Sequence, residues 1–253
     1  MPKNTTTARS KQRRSAAIAA AVAVAAILLG TVSYTATRPE ARTDVADVSD
    51  AQGDTAEAKD ELTDKLAKLA RRDAKDPLAQ GRADAPVVLI EYADFKCGYC
   101  GKFARDTEPD LVKKYVDDGT LRIEWRNFPI FGADSQSAAR AAWAAGQQGR
   151  FWQFHKAAYA DGAKDKGFGA DRLDALAREA GVKDLDRFRT DREGKAAQAA
   201  VKQDSDEAYA LGATSTPSFL INGQPLAGAQ PEAAFEQVIE AAKAQSGKSG
   251  GDK

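Results

Sequence analysis

The sequence predicts a mixed α/β domain behind one N-terminal apolar segment, and three observations predict it. A continuous β-branched run, Val87-Val88-Leu89-Ile90, leads into Cys97-Gly98-Tyr99-Cys100 and then a helix-period apolar pattern. A second strand pattern follows at Leu121-Arg122-Ile123-Glu124-Trp125-Arg126. After a long helical stretch, Thr216-Pro217 opens a third strand that turns back at Asn222-Gly223. Strand patterns separated by helical ones belong to a sheet covered by helices.

The chain has 253 residues, enough for one or two domains with a sizeable core. Its 37 basic and 37 acidic residues cancel, but the cancellation hides an asymmetry. Residues 1–38 carry Lys3, Arg9, Lys11, Arg13, Arg14 and Arg38 and no acid, which leaves 31 basic against 37 acidic residues beyond them. A domain with that acidic excess is a poor partner for nucleic acid, whose binding rests on a basic face. Two cysteines and one histidine exclude a self-contained four-ligand Cys/His zinc site, and no metal or other cofactor is expected. A Ser-His-Asp hydrolase would rest entirely on His155, which in an aromatic helical run reads as an ordinary core or surface histidine.

Residues 1–14 are polar and basic, and residues 15–37 hold no charged side chain. A run of that length is expected to span a membrane, with the basic flank cytoplasmic and everything after residue 38 outside. The alternative is a cleaved signal peptide with a secreted product; Tyr34 spoils the small-residue site that cleavage after Ala36 would need. Residues 38–76 read as an extracytoplasmic spacer, polar and acidic at first. From Ala56 to about Asp73, Leu62, Leu66 and Leu69 share one helical face, and Glu61–Lys65 is spaced as an ion pair. That short amphipathic helix either packs on the domain or stands as a stalk.

The domain proper is expected over residues 77–245. The strand beginning at Val87 is buried on both faces. Behind the cysteines, Phe103, Leu111, Val112, Tyr115 and Val116 give a helix face, with Pro109 a kink and Gly119 a stop. The alternating residues 121–126 form the second strand. A helical stretch over about 133–211 follows in five pieces, with Asp134, Asp171 and Asp184 expected as caps and Gly181 and Gly212 as stops. Residues 218–221 are a strand, Asn222-Gly223 a two-residue hairpin turn, and residues 224–227 the return. A last helix starts after Pro231, and residues 246–253 read as a flexible tail.

Chemistry concentrates at Cys97 and Cys100, at a strand-to-helix junction. The free N–H groups and dipole of a helix N-terminus favour an anion, here the Cys97 thiolate. Spacing i, i+3 puts Cys100 within bridging reach, so one sulfur can attack a disulfide or be attacked while the other resolves the mixed disulfide. A purely structural disulfide across two residues would remove little unfolded-chain entropy. A reduced buried pair has little place outside the cytoplasm.

These residues, with Ala213-Thr214-Ser215-Thr216-Pro217-Ser218-Phe219, Trp125-Arg126-Asn127-Phe128-Pro129 and Phe151-Trp152-Gln153-Phe154-His155, resemble the DsbA-like branch of the thioredoxin superfamily. The resemblance covers roughly residues 77–245. It implies a thioredoxin fold with an inserted helical domain, because residues 101–216 separate Cys100 from Pro217 where a minimal fold needs about 40–50. It also implies that Cys97 is the exposed nucleophile and Cys100 the buried resolving thiol. Pro217 matches the family's cis-proline and Thr216 the residue whose backbone pairs with substrate. Glu91, on the buried strand, stands where the family often keeps an acid, and such a carboxyl could exchange a proton with Cys100. Gly98 and Tyr99 tune the thiolate; they match neither the Pro-His pair of strongly oxidising members nor the Gly-Pro pair of thioredoxins.

The function expected is an anchored, extracytoplasmic thiol–disulfide oxidoreductase that donates its Cys97–Cys100 disulfide to reduced exported proteins. With no third cysteine it needs a separate recharging partner, expected to be a quinone-linked membrane oxidase. The alternatives are a reductase or isomerase on the same scaffold, or a non-catalytic peptide-binding module.

Overall fold

The computed structural model describes residues 49–249, with side chains from residue 57 to 247. The expected cytoplasmic tail and membrane span at residues 1–37 lie outside the described residues, as do residues 38–48 of the spacer and 250–253 of the tail. Among the described residues no helix is long and apolar enough to cross a membrane. The chain divides into two units, Met1–Gln52 and Gly53–Lys253, and the second holds the sheet and the helices packed on it.

Helix α1, Ser49–Ala67, precedes a two-residue strand β1, Ala79–Gln80, and then β2, Val87–Ala93. Helices α2, Gly98–Asp106, and α3, Glu108–Leu111, are followed by a π-helical turn at Val112–Val116 and by β3, Leu121–Asn127. The helical stretch comprises α4, Ala133–Gly146; α5, Phe151–Ala158; α6, Ala170–Glu179; α7, Leu185–Glu193; and α8, Lys195–Ala210. Strands β4, Ser218–Ile221, and β5, Gln224–Ala227, and helix α9, Glu232–Ser249, complete the chain.

The five strands lie in the order β1-β3-β2-β4-β5. Strands β2 and β3 are parallel, and the other pairings are antiparallel. Every residue of β2 and β3 is buried. On one face Val87 and Leu89 pack with Phe103, Leu111, Phe219, Phe235 and Ile239. On the other, Val88, Ile90 and Tyr92 pack with Phe128, Ala208 and Leu220, and Leu66, Leu69 and Ala70 lie against them. A third cluster joins the alanine-rich α4 to Trp125, Phe95 and both cysteines. Alanine at positions 138, 141, 142 and 145 lets the helices approach closely there.

Several elements differ from expectation for local reasons. Helix α1 ends at Ala67 rather than near Asp73. Beyond it the chain packs on the sheet: Arg71 and Arg72 donate backbone N–H groups to the Glu124 carboxylate at 2.9 and 2.8 Å. Of the two readings of the amphipathic helix, docking on the domain is the one observed, with the Glu61–Lys65 pair on its outer side. Asp134 and Asp171 lie inside the first turns of α4 and α6, whose N-caps are Gly132 and Gly169; Asp184 does cap α7, accepting from the Arg187 N–H at 2.8 Å. Gly181 and Gly212 stand at φ +77°, as stops should. The chain breaks at Thr107 between α2 and α3, with Pro109 in the first turn of α3. Helix α9 runs on to Ser249 rather than yielding to a tail at 246, and the Ser246 hydroxyl bonds the Ala242 and Pro86 carbonyls. The hairpin turn has φ of 44° at Asn222 and 84° at Gly223, positive at both central residues as a type I′ turn demands.

Candidate active site

Cys97 is the N-cap residue of α2. The loop that presents it is pinned by Asp94, which sequence reasoning did not single out. The Asp94 carbonyl accepts from the Cys97 N–H and the Tyr159 hydroxyl, both at 2.9 Å. Its carboxylate accepts from the backbone N–H groups of Lys96, Ile130 and Phe131 at 2.8, 2.7 and 3.1 Å. One residue therefore fixes the cysteine loop against the 128–132 loop and the end of α5.

The Cys97 sulfur accepts from the Cys100 N–H at 3.2 Å, and its thiol donates to the Thr216 carbonyl at 3.2 Å. The Thr216–Pro217 peptide bond is cis. Thr216, remote in sequence from the cysteines, thus comes directly against Cys97, with the cis bond to Pro217 immediately after it. The Cys97 thiol is pushed down to about 6. The chief cause is the Cys100 thiol hydrogen bond, acting against burial and assisted by Thr216 and by the Cys100 and Tyr99 N–H groups. Cys100 is driven well above the ordinary thiol value, first by burial and then by Cys97. Two free thiols three residues apart therefore differ in kind: one is a thiolate near neutrality and the other holds its proton.

The expected exposed nucleophile is in fact mostly covered. Cys97 is 4% exposed and Cys100 wholly buried. What distinguishes Cys97 is that it lines a cavity of about 100 Å³ with Gly98, Gly101, Arg105, Tyr159 and Lys164, while Cys100 does not. The cavity lies between α2 and residues 158–165, which follow from the end of α5. Tyr99 stands out from the surface at 69% exposure, and Gly98 is also exposed.

Beneath the pair lies a buried acid. Glu91 pairs laterally with Trp125 on β3 and Phe219 on β4, so its neighbours on the sheet are aromatic. It is 0% exposed, and neither carboxyl oxygen has a hydrogen-bond partner. Burial, then the charges of Glu108 and Cys97, push it well above the carboxylate range. Glu108, which sequence reasoning missed, is pushed up to about 8 by burial, with the Gln80 amide pulling the other way at 3.0 Å. His155 is neither at the surface nor fully satisfied. It is buried among Trp125, Trp152 and Tyr159, its Nδ1 lies 3.7 Å from Glu108 Oε2, and its Nε2 has no partner. Burial holds it neutral, at about 3. Glu108 was hidden because a lone acid beside a proline looks like a helix-start residue. No group of His, Cys, Asp and Glu able to hold a metal occurs among the described residues.

Residues 72–241 match the family model described as Thioredoxin. Among curated proteins the chain is 34% identical over 148 residues to the probable disulfide bond formation protein D of Bacillus cereus, covering 56% of this chain and 68% of that one. It is 36% identical over 151 residues to the Na(+)/H(+) antiporter NhaA 3 of Salinispora tropica, covering 57% of this chain and 21% of the antiporter. The chain therefore spans about a fifth of the length of such antiporter relatives. Among solved structures, a thioredoxin-like oxidoreductase from Silicibacter pomeroyi superposes with a TM-score of 0.60 at 29% identity, covering 72% of this chain and 97% of that one. BdbD from Bacillus subtilis superposes with a TM-score of 0.62 at 22% identity, covering 68% and 95%, a likeness of fold.

Proposed function

We propose, since this chain belongs to the thioredoxin family as a DsbA-like protein, that it is a thiol–disulfide oxidoreductase which donates its Cys97–Cys100 disulfide to cysteine pairs of exported proteins. The observation that carries this reading is the contrast within the pair: a Cys97 thiolate stabilised at a helix N-terminus against Thr216, above a Cys100 that keeps its proton. Stabilising the thiolate stabilises the reduced enzyme, which makes its disulfide the better oxidant.

The chemistry runs in two exchanges. A substrate thiolate attacks Cys97 Sγ at the cavity; the Cys97–Cys100 bond breaks and its electron pair leaves on Cys100, which takes a proton from Glu91. The second substrate thiol, deprotonated, then attacks the sulfur of the substrate cysteine joined to Cys97. Cys97 leaves as the stabilised thiolate, and the substrate carries away the disulfide. Two electrons pass from substrate to enzyme. The backbone of Thr216 would align the substrate chain beside Cys97. Gly98, which lines the cavity with no side chain, and Tyr99, whose N–H supports the thiolate, tune the pair.

The setting proposed for this reaction is extracytoplasmic, the domain being held to the membrane through residues 15–37 and recharged by a quinone-linked membrane oxidase. Trapping tests the activity: Cys100→Ser should accumulate mixed disulfides between Cys97 and exported proteins, and Cys97→Ser should trap none. Alkylation before lysis should find the wild-type pair mostly disulfide. A reduction potential at or above roughly −150 mV supports donation, and one near −250 mV or below would reverse the assignment to a reductase.

A further inference from the structure

The cavity that Cys97 lines also takes in two glycines from the first turn of α2. Gly98 and Gly101 stand three residues apart, on one face of the helix, and the Gly101 N–H donates to the Cys97 carbonyl at 3.1 Å. Their missing side chains leave room for two cations. A Cβ at Gly98 would lie 4.0 Å from Lys164 Cε, and a Cβ at Gly101 only 2.9 Å from Arg105 Nη1. Arg105 is fixed in this place because its Nη1 donates to the Tyr159 carbonyl at 2.8 Å. That bond sets its position and leaves its charge uncompensated. Among the described residues no carboxylate lies within ion-pair distance of Arg105, and its neighbour Asp106 pairs with Lys102 instead. Lys164 holds Asp165 at 3.2 Å, an exposed pair that water screens. Asp161 and Asp165 line the cavity too, but the side-chain atoms nearest the two glycines belong to Lys164, Arg105 and Tyr159. The cations therefore lie against the helix N-terminus, whose own field favours an anion.

We propose that Arg105, seconded by Lys164, selects substrates carrying a carboxylate beside the reacting cysteine, an Asp or Glu side chain of the exported protein itself. This names the substrate class of the disulfide-donating activity proposed above and rests on it. As a substrate thiolate attacks Cys97 Sγ, the neighbouring carboxylate enters the cavity and accepts from the guanidinium donors that Tyr159 leaves open, a planar fork suited to two oxygens. The cavity of about 100 Å³ has room for one short side chain, since a benzene ring needs about 150 Å³. It takes the acidic residue and leaves the rest of the substrate chain outside, along Thr216. The carboxylate neither gives up a proton nor joins the electron transfer; it holds the substrate sulfur in reach.

The probes are two peptides, identical except for Glu or Gln beside the first of their two cysteines. The full-length chain in its disulfide form oxidises each in single turnover, and each rate is corrected for the thiolate fraction of the peptide. Wild type should oxidise the Glu peptide roughly three- to fivefold faster, the range of an ion pair that solvent partly screens. The preference should shrink as salt rises. Arg105→Gln should remove it. Lys164→Gln should weaken it and Asp165→Asn, which frees Lys164, should strengthen it, both at exposed positions where the fold has little to lose. A merely structural Arg105 would slow both peptides alike and keep the preference. Both peptides oxidised without preference by the wild type, or a preference that survives Arg105→Gln, overturns this inference while the activity stands. A preference for mercaptopropionate over mercaptoethanol that the peptides do not share overturns the protein side chain as the source of the carboxylate, in favour of free acidic thiols. Failure to oxidise either peptide overturns the disulfide-donating reading, and this inference with it.

Discussion

The Cys97 thiolate couples redox state to folding stability, and the size of the coupling follows from the geometry. In the dithiol form Cys97 titrates at about 6 against an ordinary value of 9.0. A depressed acid contributes stability that is fully present above its unfolded value and lost as pH falls through its folded one, so the window here runs from about pH 9 down to about 6. The disulfide form has no such thiol. Subtracting the unfolding free energies of the two forms cancels most of the carboxylates they share and leaves the cysteines. Cys100, raised by burial, stays protonated throughout the window and adds nothing. The reduced form should therefore gain about 1.4 kcal/mol relative to the oxidised form between about pH 5.5 and 7, and about 3 kcal/mol by about pH 8.5. At two electrons, about 1.4 kcal/mol corresponds to about 30 mV of added oxidising power. Urea unfolding of both forms at the three pH values, extrapolated linearly, measures the gap. A reduced-minus-oxidised difference in unfolding free energy that stays flat or falls as pH rises would refute the assignment of the thiolate to Cys97.

Gly223→Val should cost at least about 2 kcal/mol in urea unfolding, because the position has φ +84° and a Cβ there would overlap the Thr63 carbonyl and the Ala67 nitrogen of α1. The same change should open α1 to proteolysis before the rest of the domain. Glu124→Gln should destabilise the fold by about 3–5 kcal/mol, since it removes the buried negative charge that Arg122 and Arg126 share. Glu124 is held at about 2 by those arginines and the Arg71 N–H, against the opposing effect of burial. Its contribution should therefore be complete above about pH 4.5 and vanish toward about pH 2, as acid titration of wild type against Glu124→Gln would show. His155, buried neutral at about 3, should make the wild type lose about 1.4 kcal/mol per pH unit between about 6 and 4, because the unfolded chain binds the proton the fold refuses. His155→Phe should remove that slope in paired urea titrations.

The elements of the domain were legible where local chemistry dictates them. Val87–Ile90 is too apolar and branched for anything but a buried strand, and Asn222-Gly223 supplies the positive φ that a two-residue turn requires. Cys97 and Cys100 were legible as a unit because three residues of helix bring them together whatever surrounds them. Thr216 and Pro217 were assigned only through a family resemblance, since nothing between residues 101 and 216 states where the chain returns. Helix caps fared unevenly: Asp184 caps, while Asp134 and Asp171 sit inside the first turn, displaced by glycines that could take the cap conformation.

What the sequence determined by itself was the strand–cysteine–helix junction, the hairpin, the helical stretch and the charge balance, all products of spacing and side-chain type within a few residues. Tertiary structure alone decided the rest. It buried both faces of β3, whose alternating pattern would ordinarily leave one face wet, by laying residues 69–73 and α8 over Arg122, Glu124 and Arg126. It placed Thr216 against Cys97, Asp94 under the cysteine loop, His155 beside Glu108, and Glu91 out of reach of solvent. Desolvation and the fields of neighbouring charges depend on three-dimensional distance, which contacts between segments remote in the chain create. The proton affinities on which the chemistry depends therefore came only with the fold.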